Sequence, residues 1–120
     1  ARAIYHTAMV LSSNYLNVLV NEAVSLLADS GMENPQRLLA PLLSASLDNA
    51  LRLGDKALTG PVARGDCEVI RKHLDALQER PSSQNAYRAL ARLATDRALD
   101  AGVLSVDQAA DLLIELGETP

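Results

Sequence analysis

The chain has 120 residues and a formal net charge of −4, enough for one domain with a continuous core and too few for a catalytic domain plus a cofactor domain. Leu and Ala together supply 41 residues against three Tyr and no Phe or Trp, so the core is built from good helix formers and an all-α fold of about five helices is expected. The eleven Lys and Arg are dispersed and lack stacking aromatics, which sets nucleic acid aside.

A single cysteine, Cys67, excludes an intrachain disulfide framework and a cysteine metal cluster, and fits a reducing cytoplasm. No signal-peptide pattern or membrane span is expected, because the first apolar segment is interrupted by Ser12, Ser13, Asn14, Asn17 and Asn21. The first residue is not Met and a helix is already under way at Ala3, so residues 1–120 are expected to be the single helical C-terminal domain of something longer.

The first helix is predicted from Ala3 to about Gly31. No Asp, Glu, Lys or Arg occurs between Arg2 and Glu22, a pattern expected of a helix covered on most sides by protein. At 100° per residue His6, Ser13 and Asn17 form a narrow uncharged stripe, with Asn14, Asn21 and Ser25 beside it. Such groups orient a carbonyl or hydroxyl substrate at less cost than charges, or they hydrogen-bond to neighbouring helices or to a second subunit.

A second helix follows Asn34 as N-cap and Pro35 as first helical residue, running through Leu38, Leu42 and Leu47 to a stop at Gly54. Asn49 projects among its leucines as a second polar group on an apolar surface. Residues 55–66 form the only long irregular segment; Asp66 is a suitable cap for a third helix with Ile70, His73, Leu74 and Leu77 inward and Pro81 as its end. If that loop folds over the first helix, Arg64 supplies a carboxylate-binding cation oriented by Asp66; otherwise the two form a structural salt bridge and cap.

Ser82 or Ser83 is expected to cap a fourth helix with Tyr87, Leu90, Ala91, Ala94, Ala98 and Ala101 on one face, ending at Gly102. Ser105 and Gln108 have the spacing of a capping box that opens a fifth helix. The glycines of Gly60-Pro-Val-Ala-Arg-Gly65 match a phosphate loop in spacing, but Asp66-Cys67 stands where Lys and Ser/Thr belong. His6 and His73 lack metal-ligand spacing, and no nucleophile elbow accompanies Ser13, so neither a metal site nor a hydrolytic triad is expected.

The blocks His6-x-Ala8-x-Val10-x-x-Ser13-Asn14-Tyr15-Leu16, Pro41-Leu42-Leu43 with Leu47-x-Asn49, Ala57 to Asp66 with His73-Leu74, and Tyr87-Arg88-x-Leu90 together resemble the helical C-terminal domain of unknown function in bacterial Rossmann-like oxidoreductases. The resemblance implies a relationship to pyrroline-5-carboxylate reductase, ketopantoate reductase and the 6-phosphogluconate dehydrogenase C-terminal superfamily. It further implies an N-terminal Rossmann domain binding NADP or NAD, and a homodimer formed through the long first helix. Position by position it places His6, Ser13, Asn14, Asn49, Thr59, Arg64 and Asp66 at or near a substrate cleft. The Lys-x-x-x-Asn pair of the hydroxyacid dehydrogenase and ketopantoate reductase branches is replaced by His6 and Val10.

The expected function is thus substrate binding and dimerisation in an NAD(P)-dependent oxidoreductase of a small keto or imino acid, with a ketopantoate-like substrate taken from relatives. His6 and Asn14 are the catalytic candidates, and Ser13, Asn17, Asn49, Thr59, Arg64 and Asp66 the substrate-binding ones. The alternative is a non-enzymatic helical dimerisation module whose polar stripe fixes register.

Overall fold

The computed structural model describes residues 1–117, and among them every regular element is helical. Five helices follow one another: α1 over residues 2–29, α2 Pro35–Leu53, α3 Cys67–Ala76, α4 Pro81–Asp100 and α5 Val106–Glu115. A 3₁₀ turn, Gly54–Ala57, follows α2 directly. The chain divides into two compact units, Ala1–Ala45 and a second that begins at Ser46.

In the first unit α1 is not a uniform α-helix. Arg2–Met9 and Tyr15–Asp29 are α-helical, and Val10–Asn14 between them is a π-turn, one residue wider per turn. The helix closes in a Schellman motif: Gly31, at φ +97°, donates to the Ala28 carbonyl at 3.0 Å and Met32 to the Leu27 carbonyl at 3.1 Å. Several side-chain donors are satisfied within the helix, as where Thr7 Oγ1 donates to the Ala3 carbonyl at 2.7 Å and Asn21 Nδ2 to the Asn17 carbonyl at 2.9 Å.

The charge-free part of α1 was expected to be covered. Instead no residue of the helix is buried, and Ile4, Tyr5, Leu11 and Val18 are 73%, 71%, 60% and 58% exposed. Lack of charge therefore does not reflect burial within the first unit.

Helix α2 starts at Pro35 as expected, but Asn34 sits at φ +52°, a left-handed conformation that asparagine tolerates, rather than in the extended backbone of an ordinary N-cap. The helix runs through Pro41, which has no N–H for the carbonyl four residues back, so one rung of its ladder is missing.

The second unit holds a core of Val62, Ile70, Leu74, Ala91, Ala98, Leu104, Leu112 and Leu116, with Leu58, Cys67, Tyr87, Ala94 and Val103 packed against it. These residues come from α3, α4, α5, the turn between α4 and α5, Leu116 just after α5, and the loop before α3, which is pinned by Val62 and Leu58. Asp66 Oδ1 accepts from the Val69 N–H at 3.2 Å and caps α3. Helix α4 begins two residues earlier than a Ser82 cap implies, with Pro81 in its first turn and Arg80 as cap residue, because proline at that position needs no donor partner. Its end is a second Schellman motif, Val103 donating to the Ala98 carbonyl at 2.9 Å and Gly102 to Leu99 at 3.1 Å. At α5 the capping box is complete: Gln108 N–H donates to Ser105 Oγ and the Ser105 N–H to Gln108 Oε1.

Long-range ion pairs help tie the second unit together. Arg71 of α3 grips Glu115 of α5 with two contacts, Nε to Oε1 at 2.8 Å and Nη2 to Oε2 at 2.9 Å. Hydrogen bonding and charge from Arg71 hold the Glu115 carboxyl below its ordinary value. Arg97 of α4 meets Asp55 of the 3₁₀ turn through one contact, Nε to Oδ1 at 2.8 Å.

Candidate functional site

The sequence-predicted residues fall into two groups. His6, Ser13, Asn14 and Asn17 lie on α1 in the first unit and are exposed. Ser13 and Asn14 belong to the π-turn, whose extra residue offsets everything beyond it by about 100° from a pure α-helical projection. His6 therefore does not share one straight stripe with Asn17. Asn17 accepts from Asn21 Nδ2 at 3.1 Å, whereas the side chains of His6, Ser13 and Asn14 make no hydrogen bond among the described residues. Bonding to neighbouring helices, the structural alternative for the stripe, is not how those three are used within this unit.

Asn49, Thr59, Arg64 and Asp66 belong to the second unit. Two of them meet: Asn49 and Thr59 line one cavity of about 470 Å³, together with Ser46, Ala50, Gly54, Asp55, Ala57, Leu58 and Arg97. Helix α2 supplies its first wall, the 3₁₀ turn and Leu58-Thr59 the second, and Arg97 the third. Asn49 Oδ1 accepts from Arg52 Nη2 at 3.1 Å, and Arg52 Nε is in turn spent on Asp48 at 3.0 Å. The Asn49 amide nitrogen thus keeps both of its donors. With the Ser46 and Thr59 hydroxyls and the Arg97 guanidinium, the cavity presents donors to an oxygen-rich ligand, and Asp55 is its one carboxylate. Hydrogen bonding to Asp55, then its charge, pushes Arg97 further up from its already high value, so the guanidinium is permanently charged.

Arg64 and Asp66 do not contribute to this cavity. The predicted pairing of the two is corrected: Asp66 spends a carboxylate oxygen on its cap, and the exposed Arg64 side chain makes no ion pair among the described residues. Local capping won because the Asp66 side chain lies within reach of the orphan N–H groups that open α3. Ser46, Asp55 and Arg97 were not among the sequence candidates. Asp55 lies in the irregular segment 55–66, but Arg97 is 42 residues away on a helix whose sequence pattern is dominated by its apolar face.

A second, smaller hollow of about 220 Å³ adjoins the first, sharing Leu58 and Thr59, and is otherwise lined by Pro61, Val62, Tyr87, Leu90, Ala91 and Ala94. Tyr87 OH and His73 Nδ1 share a 2.8 Å hydrogen bond, their rings edge-on at 5.7 Å, and burial pushes the Tyr87 phenol up. The expected inward direction of His73 is therefore realised as a bond to Tyr87 rather than burial. Among the described residues no group of three His, Cys, Asp or Glu is placed to hold a metal ion, and no helix is long and apolar enough to cross a membrane.

Comparison with known proteins finds one family model, a domain of unknown function, DUF2520, matching residues 1–94. No curated protein and no solved structure matches the chain. The matched stretch carries α1, α2, the loop, α3 and α4 as far as Ala94, with Asn49, Asp55 and Thr59, while Arg97 lies beyond it. With more than three quarters of its length matched, the chain belongs to the DUF2520 family, whose function is unknown.

Proposed function

We propose that this chain is the substrate-binding and dimerisation domain of an NAD(P)-dependent oxidoreductase acting on a small keto or imino acid. The observation that carries the substrate half is the donor-lined cavity around Asn49, Thr59 and Arg97, sized for a metabolite rather than a macromolecule. The exposed, charge-free stretch of α1 from Ala3 to Asn21 supports the dimerisation half. Nicotinamide binding belongs to a separate Rossmann domain, since no glycine-rich dinucleotide turn occurs in these 120 residues. That cofactor supplies the hydride; this chain's residues bind and orient the substrate and deliver a proton. In the second unit Asn49, Thr59 and Arg97 hold the substrate's polar end; the first unit separately offers His6 as a proton donor and Asn14 as an orienting amide.

In the full-length protein, His6→Ala lowers NADPH turnover by about 10²- to 10⁴-fold, the usual contribution of a positioned proton donor. On the chain alone, a panel of short 2-oxo and 2-amino acids raises the melting temperature, and Arg97→Gln abolishes the rise. A flat thermal response across that panel removes the substrate role. What then remains is the helical dimerisation module, a reading favoured by the exposure of Ile4, Leu11 and Val18.

A further inference from the structure

The Arg71–Glu115 and Arg97–Asp55 ion pairs of the second unit differ in how fully they are spent. Arg71 and Glu115 close a two-point fork, with both carboxylate oxygens engaged. Arg97 and Asp55 touch only through Nε and Oδ1, which leaves both terminal guanidinium nitrogens and Asp55 Oδ2 available, and both residues line the larger cavity. The cavity therefore offers an unspent cation edge beside an unspent anion edge.

The rest of its charge balance points the same way. Arg52, the next cation along α2, is committed to Asp48 and Asn49. Asp100 adds negative charge near Arg97. A simple carboxylate entering here finds no cation that it does not share with an acidic neighbour, and a simple amine finds Asp55 already opposed by Arg97. A molecule carrying both charges on one carbon meets each with its opposite. The neutral donors agree: Asn49 Nδ2 and the Ser46 and Thr59 hydroxyls surround the end a carboxylate would occupy. Beyond Leu58 and Thr59 lies the apolar hollow, which suits a short aliphatic side chain and is too small for a long one.

We propose that the cavity formed by Asn49, Asp55, Thr59 and Arg97 binds a zwitterionic α-amino acid with a short apolar side chain. Its carboxylate lies on Arg97 and Asn49, its ammonium on Asp55, and its side chain over Leu58 into the smaller hollow. This assignment rests on the reading of the cavity as a substrate pocket, and chooses the amino form over the keto form.

Calorimetric titration of the full chain with L-norvaline, 2-oxopentanoate and butylamine tests it, because the three carry the same propyl group on a zwitterionic, an anionic and a cationic head. L-Norvaline binds at least about tenfold tighter than either of the others. Asp55→Asn removes the ammonium partner, so that L-norvaline loses its advantage over 2-oxopentanoate, and Arg97→Gln weakens both acids. Tighter binding of 2-oxopentanoate by the unaltered chain overturns the zwitterion assignment and leaves the oxidoreductase pocket standing. An unchanged preference in a folded Asp55→Asn variant also overturns it, by locating the ligand elsewhere. No binding of any of the three overturns both.

Discussion

Gly65 is held from two directions. Its φ of +66° lies in the left-handed region, and a Cβ added there would come within 3.1 Å of Gln108 Nε2, the side chain that completes the α5 capping box. Gly65→Ala is expected to cost about 1–2 kcal/mol for the backbone alone. It should cost more if Gln108 is displaced from Ser105, and denaturant titration beside Gln108→Ala separates the two contributions. The Arg71–Glu115 fork sets a pH dependence. Glu115 has a lowered pKa in the folded chain, so the stability it adds is present above the unfolded carboxyl range and is lost as pH falls through the folded value. Melting temperatures of the unaltered chain and Glu115→Gln should differ near neutral pH and converge below the ordinary glutamate pKa of about 4.3. Much at this scale is readable from sequence, because caps are local: Asp66, the Ser105–Gln108 box, Gly31 and Gly102 each act within a few residues. Arg97 with Asp55 is not readable, since nothing in either one's neighbourhood specifies a partner 42 positions away.

Among the elements, α3, α4 and α5 are packed, whereas α1 exposes most of its apolar side chains. Leu112, at 0% exposure in the core of α5, should lose about 2–5 kcal/mol on truncation to Ala, while Leu51 on α2, 79% exposed, should change stability by about 0.5 kcal/mol or less. Chemical denaturation of the two variants checks the contrast. Helix number and approximate bounds follow from the leucine and alanine periodicity and from the punctuation by Gly31, Gly54, Pro81 and Gly102. The π-turn at Val10–Asn14 does not follow, because a widened turn has no residue signature of its own. That omission matters for the site: a projection at 100° per residue puts His6 and Asn17 in line, and the inserted residue takes them out of it.

For the molecule as a whole, two features invite a partner: a charge-free stretch of α1 with Leu11, Leu16 and Leu19 exposed, and a cavity whose ion pair is half spent. The proposed occupant of the first is a second copy. Identical helices without charge between residues 3 and 21 meet with no like-charge repulsion. Sedimentation velocity at micromolar concentration should show a dimer, and Leu11→Lys with Leu19→Lys should convert it to a monomer. The exposure of α1 also carries a calorimetric consequence. A fully buried chain of this length absorbs about 1.4–1.8 kcal/mol/K on unfolding, because melting wets its apolar surface. Here residues 2–29 are largely wet before melting begins, so a dilute monomer should show a heat-capacity step well below that range. On concentration the step should grow toward it and the melting temperature should climb, as surface hidden between two copies of α1 is released along with the core.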